Sequence, residues 1–371
     1  MVAEIEIKTK RLGQLLDLQG FEGVLLNGQH NFAWVTGGGS NGVDTSRENG
    51  AATILVTRDR RRFIFASRIE MERMLSEQVS VEVFEPIEFG WQDEKASSSY
   101  LMDRAVEVSG GSRIASDISI DPNVKAIDGL ISQCRVRLTP PEVDRLRLLG
   151  KDAGIVMRKI FGRITPGETE KEIAAKLAFE MELSGIKPVV TLVAADERIA
   201  KYRHPLPTEN RWKKSLLLVV CAKRSGLIVS LSRIATVGAA DSELVDITQA
   251  AAFVNSTLWN ATREGVSGRE LYQAAARAYK ASGFPNEIDK HHQGGAAGYR
   301  TREWLAHPLS EELVHARMGF AWNPSITGTK VEETVIAGEN GVEVITRSPD
   351  FPEIGHTIEG KDYFSSGILE I

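Results

Sequence analysis

One feature constrains this chain more than any other: part of its second half is written twice. Thr165, Gly167, Thr169, Glu172, Ser184 and Gly185 are answered by Arg263, Gly265, Ser267, Glu270, Ser282 and Gly283, a constant shift of 98 positions. Each copy reads as a loop, a capping box, a helix and a closing glycine. Thr169 with Glu172, and Ser267 with Glu270, have the spacing at which a hydroxyl and a carboxylate each satisfy backbone amides at a helix start. Helical patterns precede the copies at residues 143–163 and 243–263. Strand-like runs follow at 188–193 and 215–222 after the first, and at 320–325 and 331–338 after the second. Two amphipathic helices can look alike by chance, but shared glycines, caps and Ser-Gly ends at one offset favour a duplicated fold. The expectation is a pseudo-twofold sheet wrapped by helices, with a cleft between its halves where a small molecule is enclosed.

The first third alternates instead: helix at 11–19, strands at 23–27, 52–57 and 62–65, a charged helix at 69–76. That is a small α/β domain. Leu138-Thr139-Pro140-Pro141-Glu142 precedes a long helical pattern over 143–164, and proline in the first turn is a start signal. With 371 residues the chain exceeds one usual domain, so the expected domains are 1–137 and 138–371. A net charge of -5 with both signs mixed throughout recruits no phosphate backbone, and nucleic acid is not an expected partner. No apolar stretch reaches membrane-spanning length, and the protein is read as cytoplasmic. Cys134 and Cys221 sit in apolar or strand-like contexts and are expected as reduced packing residues rather than a disulfide.

Three motifs carry a resemblance. Residues 25–37, running from Leu25 through Asn27, Asn31 and Trp34 to Thr36-Gly37, form a strand and turn leading to a threonine-glycine pair. Near the end stand Met318 to Asn323-Pro324, and Lys330 to Ile336 with Glu332-Glu333 inside it. The chain resembles the pita-bread family of creatinase, prolidase, aminopeptidase P and methionine aminopeptidase, over almost its whole length. The resemblance implies an α/β (α+β) fold, a creatinase-like N-terminal domain followed by a pita-bread domain. It also implies five metal ligands: two aspartates eleven residues apart, a histidine in a glycine-rich turn, and two glutamates. At those places this chain has Val219, Ser230, Gly295, Asn323 and Glu332, although Gly226 and Arg233 of the aspartate motif remain. A divalent metal is usually held by three or more anionic or imidazole ligands. One carboxylate is not enough, so no metal or other cofactor is expected. The weighed exception is a mononuclear site from Glu332, His204 and Asn323, which Lys330, on the same strand face as Glu332, disfavours.

His204, in the loop Lys201 to Thr208, matches the family's His-Pro loop and is the expected acid-base group, since imidazole exchanges protons near neutral pH. By itself it would read as a surface histidine. His291 matches a second non-ligand histidine that contacts substrate; His292 reads as structural. Glu332 and Glu333 point to opposite faces of a strand-like run, and the resemblance selects Glu332 for the cleft, a partner for Lys330 or Arg233 being the plain alternative. Arg233 reads more as a strut than a ligand, yet with His291, Ser232 and Asn323 it completes the set expected near a substrate. Arg47 and Arg302 read as solvated charges, though either can recognise a carboxylate. Glu180, Glu182 and Arg58 to Arg62 read as solvated surface, and Trp34, Trp304 and Trp322 as packing residues.

Creatinase supplies a precedent within the resemblance for hydrolysing a carbon-nitrogen bond without metal, with a histidine matching His204 and a glutamate matching Glu332. Ser232 stands where its other glutamate falls, which argues against creatine. The expected function is a metal-independent hydrolase of a small zwitterionic nitrogen compound. The alternatives are a pseudo-peptidase that binds a small molecule or peptide in the same cleft and, less favoured, an Xaa-Pro metallopeptidase. The resemblance also implies a homodimer.

Overall fold

Both capping boxes form in the computed structural model, which describes residues 2–119, 124–339 and 341–371. Thr169 Oγ1 accepts from the Glu172 amide at 3.1 Å while Glu172 accepts from the Thr169 amide at 2.7 Å. Ser267 and Glu270 do the same at 3.3 and 2.8 Å. These caps start the helices Glu170–Leu183 and Gly268–Ala281. Gly185 and Gly283, just past the two ends, take φ of 65° and 88°, a left-handed turn that a side chain resists. The repetition extends to the loops. Gly167 N donates to Trp212 O as Gly265 N donates to Val314 O, and Lys171 N to Thr208 O as Arg269 N to Ser310 O.

The chain divides into two units, Met1–Pro141 and Glu142–Ile371. In the first, a mixed six-stranded sheet runs in the order Glu85–Phe89, Arg62–Ser67, Asn49–Thr57, Gly23–Gly28, Ile114–Ser116, Lys125–Ala126. Leu25, Leu55, Phe63, Phe65 and Ile114 form the core beneath it. The first helix, Val2–Gln19, is longer than its apolar pattern indicates. Its N-terminal half buries charge: Lys8 Nζ donates to Glu4 Oε1 at 2.5 Å and to Trp34 O at 2.6 Å. Two inward-facing charged residues erase the amphipathic signal there. Met1, which opens that segment, lies outside the described residues.

In the second unit the helices Pro140–Lys159 and Ser242–Ala261 precede the capped helices, and each half supplies a sheet. One has the order Ile368–Glu370, Leu227–Thr236, Ser215–Arg224, Lys187–Ala195; the other Trp304–Leu305, Gly294–Ala297, Gly319–Trp322, Glu333–Gly338, Gly341–Val344. The strand expected at 320–325 breaks at Asn323-Pro324, because proline has no amide to give a ladder. A Cβ on Gly154 would lie 2.1 Å from Arg347 O, so that helix sits against the 345–347 backbone. The sheets meet where Ser230 N donates to Thr334 Oγ1 at 2.7 Å and Ser232 N to Glu332 O at 3.1 Å. Beside this seam Arg233 is fully buried: Nη1 lies 2.9 Å from Glu333 Oε1, Nη2 donates to Thr346 O at 2.6 Å and Nε to Ser348 Oγ at 2.9 Å. Among the described residues no helix is long and apolar enough to cross a membrane.

Two sets of variants test these anchors by chemical denaturation. Thr169→Ala and Ser267→Ala should each lower unfolding free energy by about 1 kcal/mol, and additively because the caps are separate. Glu333→Ala should cost about 3–5 kcal/mol by stranding a buried guanidinium.

Candidate functional site

A cavity of about 140 Å³ lies between the two sheets of the second unit. Val190 and Leu192 on one strand and Val219 on the next form an apolar wall; His204, His292, Arg302, Asn323, Lys330 and Glu332 supply the polar groups. A larger recess of about 630 Å³ in the first unit, beside Asn27, Glu94 and Met102, has neither histidine nor cysteine in its lining. Of the two, the smaller cavity is the one lined by imidazole groups.

Two loops deliver the three imidazoles. The His204 loop is held by Arg203, whose guanidinium bonds Glu287 and reaches Thr327 Oγ1 at 3.1 Å. The turn carrying His291 and His292 is held through Gln293, which accepts the Tyr279 hydroxyl at 2.6 Å and donates to His291 O. His291 Nδ1 lies 2.5 Å from His292 O and its Nε2 lies 3.1 Å from His204 Nε2. A carbonyl only accepts, so Nδ1 of His291 carries a proton. Neutral His291 then offers a lone pair at Nε2, and His204 donates its Nε2 proton to it.

Burial and then the Lys330 charge push the His291 pKa down to about 2. Burial and then Arg302 bring His292 down to about 4. His204 is lowered too, by burial, with Lys330 next and Glu332 opposing. All three are neutral at pH 7. Burial, with Glu332 behind it, raises the Cys221 thiol, and Cys221 accepts from Ser230 Oγ at 3.3 Å. Glu332 is 3 % exposed. Its Oε1 accepts from Arg302 Nη2 at 3.2 Å, and Lys330 Nζ stands 3.5 Å from its Oε2. Glu332 Oε2, Asn323 Oδ1 and Arg302 Nε are buried without a hydrogen-bond partner.

Several sequence expectations change here. Arg302 is not a solvated charge: its side chain is 13 % exposed and paired with Glu332, because its loop folds back over the cavity. Glu180 is not surface either, but buried against Lys159 and Arg163. Arg233 does not reach the cavity, its donors being used on Glu333, Thr346 and Ser348, and Ser232 Oγ turns away to Lys330 O at 3.3 Å. Arg47 is exposed and pairs with Asp44 at 3.4 Å. Cys134 and Cys221 are both free. Trp34 and Trp322 are fully buried, and Trp304 packs edge-on against Phe320. His291 lies behind His204, while His292 lines the cavity. His204, Asn323 and Glu332 line the same cavity, and the ring nitrogens of His204, His291 and His292 lie within 4.8 Å of one another.

Metallopeptidase family M24 matches residues 144–345, more than half the chain, and the protein belongs to that family. The Xaa-Pro dipeptidase of Pyrococcus furiosus is 23% identical over 233 residues, covering 60% of this chain and 67% of that protein. In structure the chain is similar to the Xaa-Pro dipeptidase from Bacillus anthracis, with TM-score 0.76 and 20% identity over 93% of this chain and 98% of that one. A dipeptidase from Pyrococcus horikoshii gives TM-score 0.77 at 20% identity, over 92% and 98%. The fold is thus the α/β pita-bread fold.

The metal in the family's name does not fit the places where the resemblance puts its ligands. Val219 and Gly295 offer no donor atom, and Glu332 is already flanked by two cations. A side chain cannot simply be restored at Gly295, since a Cβ there would lie 2.1 Å from Trp304 O.

The lowered His292 pKa has a sign that can be checked. The folded state binds this proton more weakly than the unfolded chain, so stability present above the ordinary value of 6.5 is lost as pH falls toward about 4. The thermal midpoint should drop across that window, and His292→Gln should flatten part of the drop. In an NMR titration His292 should protonate near pH 4, and higher in Arg302→Met.

Proposed function

We propose that this member of family M24 hydrolyses a carbon-nitrogen bond of a small zwitterionic nitrogen compound without a metal. The observation that carries the reading is the His204–His291 pair beside a cavity that holds unpaired buried acceptors. With its Nε2 proton given to His291, His204 keeps a lone pair on Nδ1. That nitrogen takes a proton from water as the water oxygen bonds the electrophilic carbon, and returns it to the departing nitrogen as the C–N bond breaks. The nearby positive charge of Lys330 makes the intermediate imidazolium a ready proton donor. Glu332 Oε2 and Asn323 Oδ1 accept N–H groups of the substrate and orient it.

A positioned acid-base group supplies about 10²- to 10⁴-fold, which suits an activated amide or guanidino carbon better than an ordinary peptide bond. A second reading, a binding protein that encloses a small molecule or peptide without turnover, is supported by the donor-poor Val219, Ser230 and Gly295. An Xaa-Pro dipeptidase activity, like that of the relatives named above, fits the fold but is the least supported by these side chains.

Metal analysis of purified protein, joined to a turnover screen of zwitterionic amides, guanidino compounds and Xaa-Pro dipeptides with and without chelator, separates the three. The expected result is chelator-insensitive turnover of a non-peptide compound, with His204→Ala lowering kcat by about 10²-fold or more. Ligand binding with no turnover, unchanged in His204→Ala, would select the binding protein. Xaa-Pro hydrolysis abolished by a chelator would overturn the proposal.

A further inference from the structure

His204 sits at the tip of a long loop, residues 196–214, between the strands Lys187–Ala195 and Ser215–Arg224. The flanks of this loop are tied within the first half of the repeat. Asp196 accepts the amides of Lys213, Lys214 and Ser215 at 2.7–3.0 Å. Glu170, fully buried, accepts from Arg198 Nε and from the amide and hydroxyl of Thr208 at 2.7–2.9 Å, and Pro205 O accepts Val193 N at 3.2 Å. The tip has less support. Tyr202 and Leu206 are half or more exposed, and among the described residues the side chains of 201–206 make hydrogen bonds only through Arg203 and the His204–His291 pair. Arg203 reaches Glu287, in the short helix Pro285–Lys290 that leads into His291. Glu287 also accepts from Lys290 Nζ at 2.7 Å, from Thr327 N at 3.0 Å and from Thr327 Oγ1 at 2.9 Å. Burial alone would raise its pKa, but the Lys290 and Thr327 hydrogen bonds and the Arg203 charge hold it below the usual carboxylate range. The group is ionised at neutral pH.

One carboxylate therefore stands four residues before His291 and, through a single ion pair, beside the residue that precedes His204. We infer that Glu287 is a positioning residue: through Arg203 it holds the tip of the His204 loop against the second half of the repeat, and so sets the His204–His291 hydrogen bond. That bond, 3.1 Å between two neutral rings, gains little over the water it replaces and does not fix an exposed tip by itself. A guanidinium on a mostly buried carboxylate makes the stronger, charge-assisted kind of bond. The geometry it protects is exacting. A proton passes between ring nitrogens only at hydrogen-bond distance, and a shift of about 1 Å in a reacting group costs up to about 10²-fold in rate. Glu287 lines no part of the cavity; its effect runs through Arg203 on one side and the start of the His291 turn on the other. The inference rests on His204 being the acid-base group of the reading above, but the geometry of the two rings is measurable without turnover.

NMR of the full chain with 15N-labelled histidine tests it, on Glu287→Gln, Arg203→Gln and, as a control, the helix-cap variant Ser267→Ala in the second half. In the parent protein His204 should carry its proton on Nε2 and His291 on Nδ1, and His204 should titrate below the ordinary 6.5. In Glu287→Gln and Arg203→Gln both rings should give the averaged nitrogen shifts of exchanging tautomers. The His204 midpoint should also rise toward 6.5, because burial, the first cause of its lowering, is relieved. Ser267→Ala should leave both signatures at parent values, which separates positioning from a general loss of stability. With a substrate found by the turnover screen, Arg203→Gln should lower kcat about tenfold or more while KM changes less. The inference is overturned if the parent rings show no fixed tautomers, if folded Glu287→Gln or Arg203→Gln keeps the parent shifts and titration, or if Ser267→Ala changes them equally. Should Glu287→Gln not fold, Arg203→Gln decides, since it leaves Glu287 paired with Lys290 and Thr327. Should the parent protein turn over nothing, the hydrolytic reading fails and the NMR outcome still decides this one.

Discussion

The geometry of the cavity depends on the buried pair between Arg233 and Glu333. Arg233 comes from the central strand of the first half, and Glu333 opens a strand of the second. Their contact at 2.9 Å, with both side chains at most 2 % exposed, ties one sheet to the other. An ion pair taken out of water is tolerated only when its remaining donors and acceptors are satisfied, and here Thr346, Ser348 and Ser366 satisfy them. Any shift of one residue along the chain would put Glu332 against Arg233 and leave Glu333 in the cavity. Because neighbouring side chains alternate in direction, holding Glu333 in the seam turns Glu332 to the cavity.

That placement sets the electrostatics. The carboxylate facing the cavity is met by Arg302 and Lys330, and their charges, added to burial, keep the nearby imidazoles neutral. Neutral histidines can pass a proton along His204 and His291, whereas protonated ones would repel each other and the two cations. The residues around Glu332 thus gather two cations, one carboxylate and neutral imidazoles about one cavity. The fold of a metallopeptidase family is retained, while Val219 and Gly295 bring no side-chain donor atom to two of the places where the resemblance puts ligands.

Much of the fold was legible because its signals are local. A hydroxyl three residues before a carboxylate caps a helix in any context, and glycine after the last turn ends it, so the two halves could be recognised from the sequence. Local signals failed where charge points inward: Lys8 and Glu4 hid half of the first helix, and Glu180 looked like surface. In the site, His204 and Glu332 were found through motifs. Arg302 and His292 were misread because nothing within a few residues of either says that its loop folds over a cavity.

By itself, then, the sequence determined the duplicated fold, the residues standing at the family's ligand places, and the presence of a histidine and a glutamate in motifs that the fold brings to one cavity. The tertiary structure decided which groups meet. It gave Glu333 rather than Glu332 to Arg233, and brought both Arg302 and Lys330 to the Glu332 carboxylate. The physical reason is range. Caps, turns and donor atoms are properties of a few adjacent residues, while the balance of charge in a cavity is a sum over side chains from distant parts of the chain, and it exists only once they are packed together.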